Sequence, residues 1–318
     1  MPTLYVRDLR LYYRTSRGIL RAVDKVSFTV EPGEALGIIG ESGCGKTSTA
    51  NAIMRMIPQN TAEYSGEVII DGYNIIEMNE VEVRKKIRWK LISMVFQGAM
   101  NSLNPVLKVG FQVAEPLIVH AGMDKKNAYM IAKEKLKHVG LPVETFDRYP
   151  HELSGGMKQR VVMAMALVMN PKLVILDEPT SALDVSVQAQ IMNLLKRLKE
   201  ENISMIFITH DIALASDLCD KIAVMYAGQI IEYGTSEQVL LDPKHPYTRK
   251  LLAAIPRIRS DTMPEYIPGS PPDLVNPPRG CRFHPRCNLK MDRCMLEEPP
   301  EIYVDGRVVK CWLCGDLS

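Results

Sequence analysis

The stretch that most constrains the fold of this chain is Gly40-Glu41-Ser42-Gly43-Cys44-Gly45-Lys46-Thr47. It matches G-x-x-x-x-G-K-[ST], the pattern of a phosphate-binding loop, which lies between a strand and a helix. The apolar run at residues 34–39 predicts a buried strand before the loop, and residues 47–56 predict a helix after it. We therefore expect an α/β domain built around a nucleoside triphosphate.

The residue types in this loop suit the chemistry of phosphate binding. Small residues let successive backbone N–H groups turn inward around an anion, and a helix N-terminus adds its positive dipole end. Lys46 is expected to reach the β- and γ-phosphates, and the Thr47 hydroxyl is expected to bind Mg²⁺. The alternative is an ordinary glycine-rich turn, and the match at all four fixed positions argues against it.

Composition excludes several other classes of protein. A length of 318 residues allows one large domain or two, and a hydrophobic fraction of 46% is ordinary for a globular protein. The net charge of +2 gives no indication of a nucleic-acid partner. Because no run approaches the roughly 18–20 apolar residues of a membrane span, we expect an intracellular protein that reaches a membrane only through partners.

The other elements are predicted from hydrophobic periodicity and turn residues. Residues 109–139 have apolar side chains at helical spacing and predict an inserted helical subdomain, and prolines after residue 256 predict a stiff linker. The remaining predictions are strands at 4–11 and 26–30 joined by a basic loop at 14–21, a hairpin at 67–72, strands at 91–96, 173–176 and 205–209, a hairpin at 221–233, and helices at 155–169, from 186, at 236–241 and at 246–255.

Two candidate site residues lie near the ends of predicted strands. Tyr12 and Tyr13 end the first strand, where an aromatic ring could stack on adenine, and Tyr13 is the better candidate. Two half-buried strand tyrosines are the equal alternative. Gln97 ends another apolar strand, where its amide could reach Mg²⁺ or an attacking water, although most glutamines are solvated surface residues.

The sequence Leu153-Ser154-Gly155-Gly156 predicts a second anion site. Ser154 is a good N-cap for the helix that begins at Gly155. Paired glycines at a helix start allow close backbone approach beside the positive dipole end. An ordinary capped helix is the alternative.

Carboxylates follow the buried strand at residues 173–176. In an open α/β sheet, ligands bind at the carboxyl ends of the strands, so Asp177 is expected to hold Mg²⁺ and Glu178 to act on the attacking water. His210 ends a third buried strand and could contact a γ-phosphate. A strand-ending acidic turn and a structural histidine are the alternatives.

In this order, the phosphate loop, Gln97, the Leu-Ser-Gly-Gly helix start, Asp177–Glu178 and His210 resemble the ATP-binding subunit of ABC transporters. Three features resemble the oligopeptide/dipeptide permease branch: His245-Pro246-Tyr247-Thr248-Arg249-Lys250-Leu251-Leu252, the proline-rich linker and Cys281-Arg282-Phe283-His284-Pro285-Arg286-Cys287. The stretch from Leu153 to Arg160, with Met157 after the glycines, resembles the first of the two paralogous ATPases of that branch. The resemblance implies a P-loop NTPase (RecA-like) core with an antiparallel β subdomain, at residues 1–97 and 156–255. It also implies an α-helical subdomain at 98–155 and a Cys-rich C-terminal extension at 256–318.

The resemblance also implies a role for each candidate residue, in a dimer of cassettes that closes head-to-tail on two ATP molecules. Glu178 would be the general base, His210 would bind γ-phosphate and Asp184 would cross the dimer interface. Gln97 would bind Mg²⁺ with Thr47 and Asp177, and residues 97–139 would receive the permease subunits. The ATP-binding residues would be Tyr13, Gly40, Ser42, Gly43, Cys44, Gly45, Lys46, Thr47 and Ser48, with Ser154, Gly155 and Gly156 contacting the ATP of the partner subunit.

Seven cysteines are unevenly distributed, and five of them fall between Cys281 and Cys314. A disulfide framework is not expected in an intracellular protein with an odd count. Tails of this branch resemble this one and are associated with a [4Fe–4S] cluster, which implies that Cys281, Cys287, Cys294 and Cys311 are its ligands. Zn²⁺, with Cys314 or His284 exchanged in, is the alternative.

The function that the resemblance implies is ATP hydrolysis coupled to import of oligopeptides or dipeptides. Its implied partners are a second, paralogous ATPase, two transmembrane permease subunits and an extracytoplasmic solute-binding protein, with no nucleic acid. The chain would lie peripherally at the cytoplasmic face of the cell membrane. An importer of oligosaccharides or nickel, a non-transport ABC ATPase and a stand-alone P-loop kinase are the alternatives.

Overall fold

A computed structural model describes residues 1–254 and 267–315. The described residues form two compact units. The unit named here the helical unit comprises Met1–Leu4, Val30–Ala35 and Ile70–Phe207. The unit named here the loop unit comprises Tyr5–Thr29, Leu36–Ile69 and the described residues from Ile208 onward.

The secondary structure alternates between strands and helices along most of the chain. The strands are β1 (Leu4–Thr15), β2 (Gly18–Val30), β3 (Ala35–Ile39), β4 (Thr61–Ile70), β5 (Tyr73–Asn74), β6 (Ile92–Val95), β7 (Leu173–Asp177), β8 (Ser204–Ile208), β9 (Lys221–Tyr226), β10 (Gln229–Thr235), β11 (Ile302–Val304) and β12 (Arg307–Val309). The α-helices are α1 (Lys46–Ile53), α2 (Glu80–Glu82), α3 (Val109–Ala121), α4 (Lys125–His138), α5 (Gly155–Leu167), α6 (Val185–Glu200), α7 (Ile212–Leu218), α8 (Ser236–Leu241), α9 (Pro246–Ala253) and α10 (Asp292–Leu296). A π-helix spans Val83–Ile87, and short 3-10 helices span Ala99–Asn101, Val143–Asp147, Pro150–Glu152, His284–Arg286 and Trp312–Cys314.

In the helical unit, the strands lie in the order β8-β7-β6. β6 and β7 are parallel, with Ile92 opposite Leu173 and Val95 opposite Leu176. Every residue of β7 is buried, which confirms the predicted buried strand that ends in a carboxylate. Parallel strands require cover on both faces, and this explains the unbroken apolar run.

Helices α3 and α4 occupy the stretch that was predicted to be helical. Val109, Val113 and Leu117 form the buried face of α3, and Ala128, Ala132 and Leu136 form that of α4. Both sets follow the four-residue spacing of a helix face. Gly122 ends α3 with a φ of 65°. The Asp124 carboxylate then caps α4 by accepting from the Asn127 N–H at 3.0 Å.

In the loop unit, β3 pairs in parallel with β9, and the neighbouring strands continue in the order β9-β10-β12-β11. β10 pairs antiparallel with both β9 and β12. Within this unit, β2, β1 and β4 are neighbours, in that order, in a second sheet. The unit therefore combines parallel and antiparallel pairing.

Two sequence predictions differ from the structure, and the strands β11 and β12 were not predicted. The basic loop at 14–21 is wrong, because β1 and β2 extend until only Ser16 and Arg17 remain as the turn, which Thr15 closes through its hydroxyl to the Gly18 carbonyl at 2.8 Å. The helix after the phosphate loop ends at Ile53, before Arg55 takes a φ of 51°. The cysteine-bearing segment also contributes β11 and β12, which are too short at three residues each to show a sequence period.

The other predicted strands and helices lie where expected, although their ends differ by a few residues, and the predicted linker lies outside the described residues as far as residue 266. Helix α5 ends at Leu167 rather than at residue 169. The predicted end of the helix at 246–255 lies outside the described residues. Among the residues that the structure describes, no helix has the length and apolar character needed to span a membrane.

Candidate functional site

The phosphate loop joins β3 to α1 through backbone conformations that only glycine adopts readily. Gly40 has a φ of 151° and Gly45 a φ of 111°. A Cβ atom on Gly40 would lie 2.2 Å from the Met225 carbonyl oxygen, and one on Gly45 would lie 2.2 Å from the Ala22 carbonyl oxygen. Glycine is thus required at these two fixed positions of the motif, both by the positive φ and by the lack of space for a Cβ atom.

Lys46 lies at the start of α1 and folds back into the loop. Its side chain is buried, and Nζ donates to the carbonyl oxygens of Gly40 at 2.8 Å and Glu41 at 3.0 Å. Its ammonium group therefore lies inside the loop, where a phosphate would be bound. Burial raises the pKa of the neighbouring Cys44 thiol, so this residue brings no negative charge to the loop at neutral pH.

The tyrosines at the end of β1 have different surroundings. The Tyr12 hydroxyl donates to Asp24 Oδ1 at 2.7 Å, and Asp24 also forms a buried ion pair with Arg282. Tyr12 is therefore part of a hydrogen-bonded network. Tyr13 is half-buried and, because successive strand residues face opposite ways, it points to the other side of the strand. Stacking of adenine on Tyr13 stays a prediction.

His210 lies in the loop unit, directly after β8, and it is exposed. The preceding residue, Thr209, donates its N–H to the Ile38 carbonyl in β3 at 3.3 Å. The following residue, Asp211, caps α7 by accepting from the N–H groups of Ala213 and Leu214. The backbone on both sides of His210 is therefore held by hydrogen bonds, and Thr209 ties it to β3, the strand that leads into the phosphate loop.

In the helical unit, Gln97 and Glu178 are brought together. They follow β6 and β7, which are adjacent parallel strands, and Gln97 Nε2 donates to Glu178 Oε2 at 2.8 Å. Glu178 has a φ of 47°, an uncommon conformation for a residue with a side chain, whereas Asp177 just before it is buried with 1% of its surface exposed. Sequence reasoning placed Gln97 near Mg²⁺ or water but did not identify its contact with Glu178.

The Leu-Ser-Gly-Gly segment forms a capped helix start, as predicted. Ser154 Oγ accepts from the Met157 N–H at 3.4 Å, and Ser154 and Gly155 are both exposed. A Cβ atom on Gly156 would lie 2.6 Å from Val187 Cγ1, so the absence of a side chain there lets α5 approach α6 closely.

Asp184 caps α6 beside this segment. Its Oδ1 accepts from the Ser186 hydroxyl at 2.7 Å and from the Val187 N–H at 2.9 Å. These hydrogen bonds lower the pKa of the Asp184 carboxyl, which is therefore ionised at neutral pH. The family resemblance implied that Asp184 lies at the dimer interface. It did not predict that Asp184 caps a helix.

The four predicted cluster ligands line a single cavity in the loop unit. Cys281, Cys287, Cys294 and Cys311 share this cavity with His284, among others. Burial raises the pKa of Cys281 to about 11, and a hydrogen bond from Cys311 lowers the pKa of Cys314 to about 7. In the ranges 1–254 and 267–315, however, no three His, Cys, Asp or Glu side chains converge as ligands of a metal ion. The structure thus supports the grouping of the four cysteines and does not support the predicted cluster.

A parallel strand that leads into a glycine-rich phosphate loop, and in the helical unit a second buried strand that is followed by two carboxylates, are the motifs of a P-loop nucleotide-binding cassette. A family model described as "ABC transporter" matches residues 23–181. Among solved structures, a dimeric ATP-binding cassette in a post-hydrolysis state, bound to ADP and Pi, is 31% identical with a TM-score of 0.65. That similarity covers 73% of this chain and 98% of the other.

The C-terminal part of the chain indicates which branch of these cassettes it resembles. A second model, described as the C-terminal region of oligopeptide/dipeptide transporters, matches residues 231–294. The oligopeptide transport ATP-binding protein OppD of Haemophilus influenzae is 44% identical, over 99% of this chain and 98% of its own. The dipeptide transport ATP-binding protein DppD of Caldanaerobacter subterraneus is 45% identical, over 97% and 96%. The chain therefore belongs to the ABC transporter family, in its oligopeptide/dipeptide branch of ATP-binding proteins, which confirms the resemblance found in the sequence.

Proposed function

We propose that this chain is the ATP-binding and ATP-hydrolysing subunit of an ABC importer that takes up oligopeptides or dipeptides. The observation that carries the proposal is a phosphate loop with a buried lysine inside it, in a chain similar over nearly its whole length to oligopeptide and dipeptide transport ATP-binding proteins. An importer of oligosaccharides or nickel is the second candidate. A non-transport ABC ATPase has less support, because the matched C-terminal region belongs to transporters.

In the proposed mechanism, one set of residues binds ATP and another transfers the proton of the attacking water. The loop N–H groups and Lys46 hold the phosphates of ATP, and Tyr13 stacks on adenine. Glu178 accepts the proton of the attacking water, and its hydrogen bond from Gln97 fixes the direction in which the carboxylate points. His210 contacts the γ-phosphate.

Oxygen-donor side chains suit a magnesium ion in this mechanism. We propose Thr47, Gln97 and Asp177 for this role, since hydroxyl, amide and carboxylate oxygens are the ligand types that Mg²⁺ prefers. The ion supplies charge neutralisation to the phosphates. Asp177 is buried at the end of β7, and its rigid strand would hold the carboxylate in a fixed position.

The second half of each hydrolytic centre is proposed to come from a partner cassette. The exposed start of α5, with Ser154, Gly155 and Gly156, contacts the ATP of the partner subunit, and Asp184 crosses the interface. The multiple negative charges of ATP attract the positive end of this helix. ATP then favours the closed dimer and hydrolysis reopens it, because the ligand has different affinities for the two states.

The proposed assembly contains two transmembrane permease subunits and a second, paralogous ATPase, with a solute-binding protein outside the membrane. This chain would lie peripherally at the cytoplasmic face. We also propose the division into a RecA-like core with an antiparallel β subdomain (1–97 and 156–255), a helical subdomain (98–155) that receives the permease subunits, and a C-terminal extension (256–318).

Reconstitution tests the transport function. The chain is purified with its permease and ATPase partners in proteoliposomes, and uptake of labelled peptides, oligosaccharides and Ni²⁺ is compared in the presence of the binding protein. We expect ATP-dependent peptide uptake that Lys46→Ala abolishes, because the loop then lacks its buried ammonium group. Uptake of another solute alone would favour the second candidate, and a chain that co-purifies with no permease would contradict an importer.

We further propose that Cys281, Cys287, Cys294 and Cys311 hold a [4Fe–4S] cluster. These four thiols line one cavity, and a four-iron cluster takes four cysteine thiolates. Zn²⁺, with Cys314 or His284 exchanged in, is the alternative, since zinc also takes thiolate and imidazole ligands.

Elemental analysis of anaerobically purified protein tests the cluster. We expect about four irons and four acid-labile sulfides per chain, lost in Cys287→Ser and retained in the control Cys219→Ser, whose buried thiol lies outside the cavity. Colourless protein with stoichiometric zinc would contradict the cluster in favour of the alternative.

A further inference from the structure

The segment between the first two clustered cysteines packs deep into the loop unit. Within it, Arg282, Phe283 and Arg286 are 6%, 1% and 8% exposed. The thiols at its two ends, Cys281 and Cys287, line the cysteine cavity. The C-terminal extension is therefore anchored in the nucleotide-binding half of the chain by arginines, whose burial requires charged partners.

The charged partner of Arg286 is Glu41, a residue of the phosphate loop. Its Nη1 lies 2.7 Å from Glu41 Oε2 and its Nη2 lies 2.9 Å from Glu41 Oε1, so the pair is bidentate. The guanidinium also lies 5.8 Å from the centre of the Tyr226 ring. Glu41 is the residue directly after the first glycine of the loop.

The backbone of Glu41 is fixed as well. Its N–H donates to the Tyr247 hydroxyl at 3.0 Å, and its carbonyl accepts from Lys46 Nζ at 3.0 Å. Tyr247 packs against Phe283 with ring centres 5.4 Å apart, so the segment that carries Arg286 also supports this second contact. The side chain, the N–H and the carbonyl of Glu41 thus each have a defined partner.

A carboxylate at the second position of an anion-binding loop would weaken the binding of an anion by electrostatic repulsion. Unpaired, Glu41 would repel the phosphates of ATP, since like charges in a weakly solvated site are poorly screened. Arg286 pairs with both carboxylate oxygens of Glu41 and fixes the position of this side chain. A loop that is ordered before ATP arrives also loses less conformational entropy on binding.

We propose that Arg286 is a positioning residue for ATP: through Glu41 it orders the phosphate loop and neutralises its one carboxylate, so that the C-terminal extension completes the nucleotide site of its own chain. The inference rests on the proposed function in that ATP is the ligand. It adds to that function a dependence of ATP affinity on the C-terminal extension.

Binding of a fluorescent ATP analogue to the full-length chain tests the inference. We expect Arg286→Gln to weaken binding about tenfold, the effect of losing a charge-assisted hydrogen-bonded pair. Adding Glu41→Gln should restore most of the affinity, because the unpaired carboxylate is then gone. A purely structural role for Arg286 would not be rescued in this way. Arg17→Gln is the matched control, since Arg17 pairs with Asp273 of the extension in an exposed ion pair and should leave affinity unchanged.

Arg286→Lys decides the question if Arg286→Gln does not fold. It keeps the charge but cannot make the bidentate pair, so we expect about threefold weaker binding with a Tm close to that of the wild type. Wild-type affinity in the folded Arg286 variants, or a double variant no better than Arg286→Gln, would overturn the inference. A wild-type chain that bound no ATP analogue would instead refute the proposed function.

Discussion

Glu178→Gln is expected to bind ATP with wild-type affinity and to lose turnover by about 10²–10⁴-fold, the usual contribution of a general base. The amide has nearly the shape of the carboxylate, and its oxygen can still accept the 2.8 Å hydrogen bond from Gln97. The site therefore keeps its geometry and loses only the group that takes the proton. Because hydrolysis reopens the dimer in the proposed cycle, the variant should also accumulate as an ATP-bound closed dimer.

Two measurements on one preparation check this expectation. Single-turnover hydrolysis gives the chemical rate, and size-exclusion chromatography with ATP gives the state of association. Glu201→Gln is the control, since Glu201 is exposed and forms its ion pair with His138. Turnover of Glu178→Gln within a few fold of the wild type would show that Glu178 is not the base.

Gly155→Asp is expected to keep ATP binding and to reduce turnover by at least about 10², the effect of losing one transition-state contact. A Cβ atom at this position would meet only Met100 at 3.6 Å and Leu183 at 3.9 Å, which are ordinary contacts. A carboxylate in the first turn also stabilises its own helix. The substitution should therefore fold normally and act on the partner's γ-phosphate by repulsion.

Gly155→Asn separates charge from size. It adds nearly the same volume without the negative charge, so its turnover should fall clearly less than that of Gly155→Asp. A chain of either variant mixed with wild-type partner should lose the one hydrolytic centre that its own α5 completes. Full turnover of Gly155→Asp would contradict the proposal that this helix start contacts nucleotide.

Local patterns predicted the parts of the site that depend on neighbouring residues. The phosphate loop, β7 and the capped start of α5 follow from glycine positions, an apolar run and an N-cap serine, all within a few residues of each other. The basic loop predicted at 14–21 is wrong because exposed strand residues can be basic: Arg14 lies in β1 and Arg21 in β2.

Contacts between distant residues could not be predicted from local patterns. Glu41 and Arg286 are separated by 245 residues and Asp24 and Arg282 by 258, and no periodicity connects them. The same limit applies to Gln97 and Glu178, which meet only because β6 and β7 are neighbours in the sheet. Cys281, Cys287, Cys294 and Cys311 line one cavity, whereas their role as cluster ligands stays a prediction.

We propose that this chain supplies half of each hydrolytic centre. The most direct test is ATP turnover per mole of chain across a range of protein concentrations, alone and with the second ATPase subunit, with the oligomeric state of each sample determined by sedimentation. We expect turnover per chain to rise as dimers form and to vanish in monomeric samples. A chain that sediments as a monomer with ATP bound and still hydrolyses it at the full rate per chain would contradict the account.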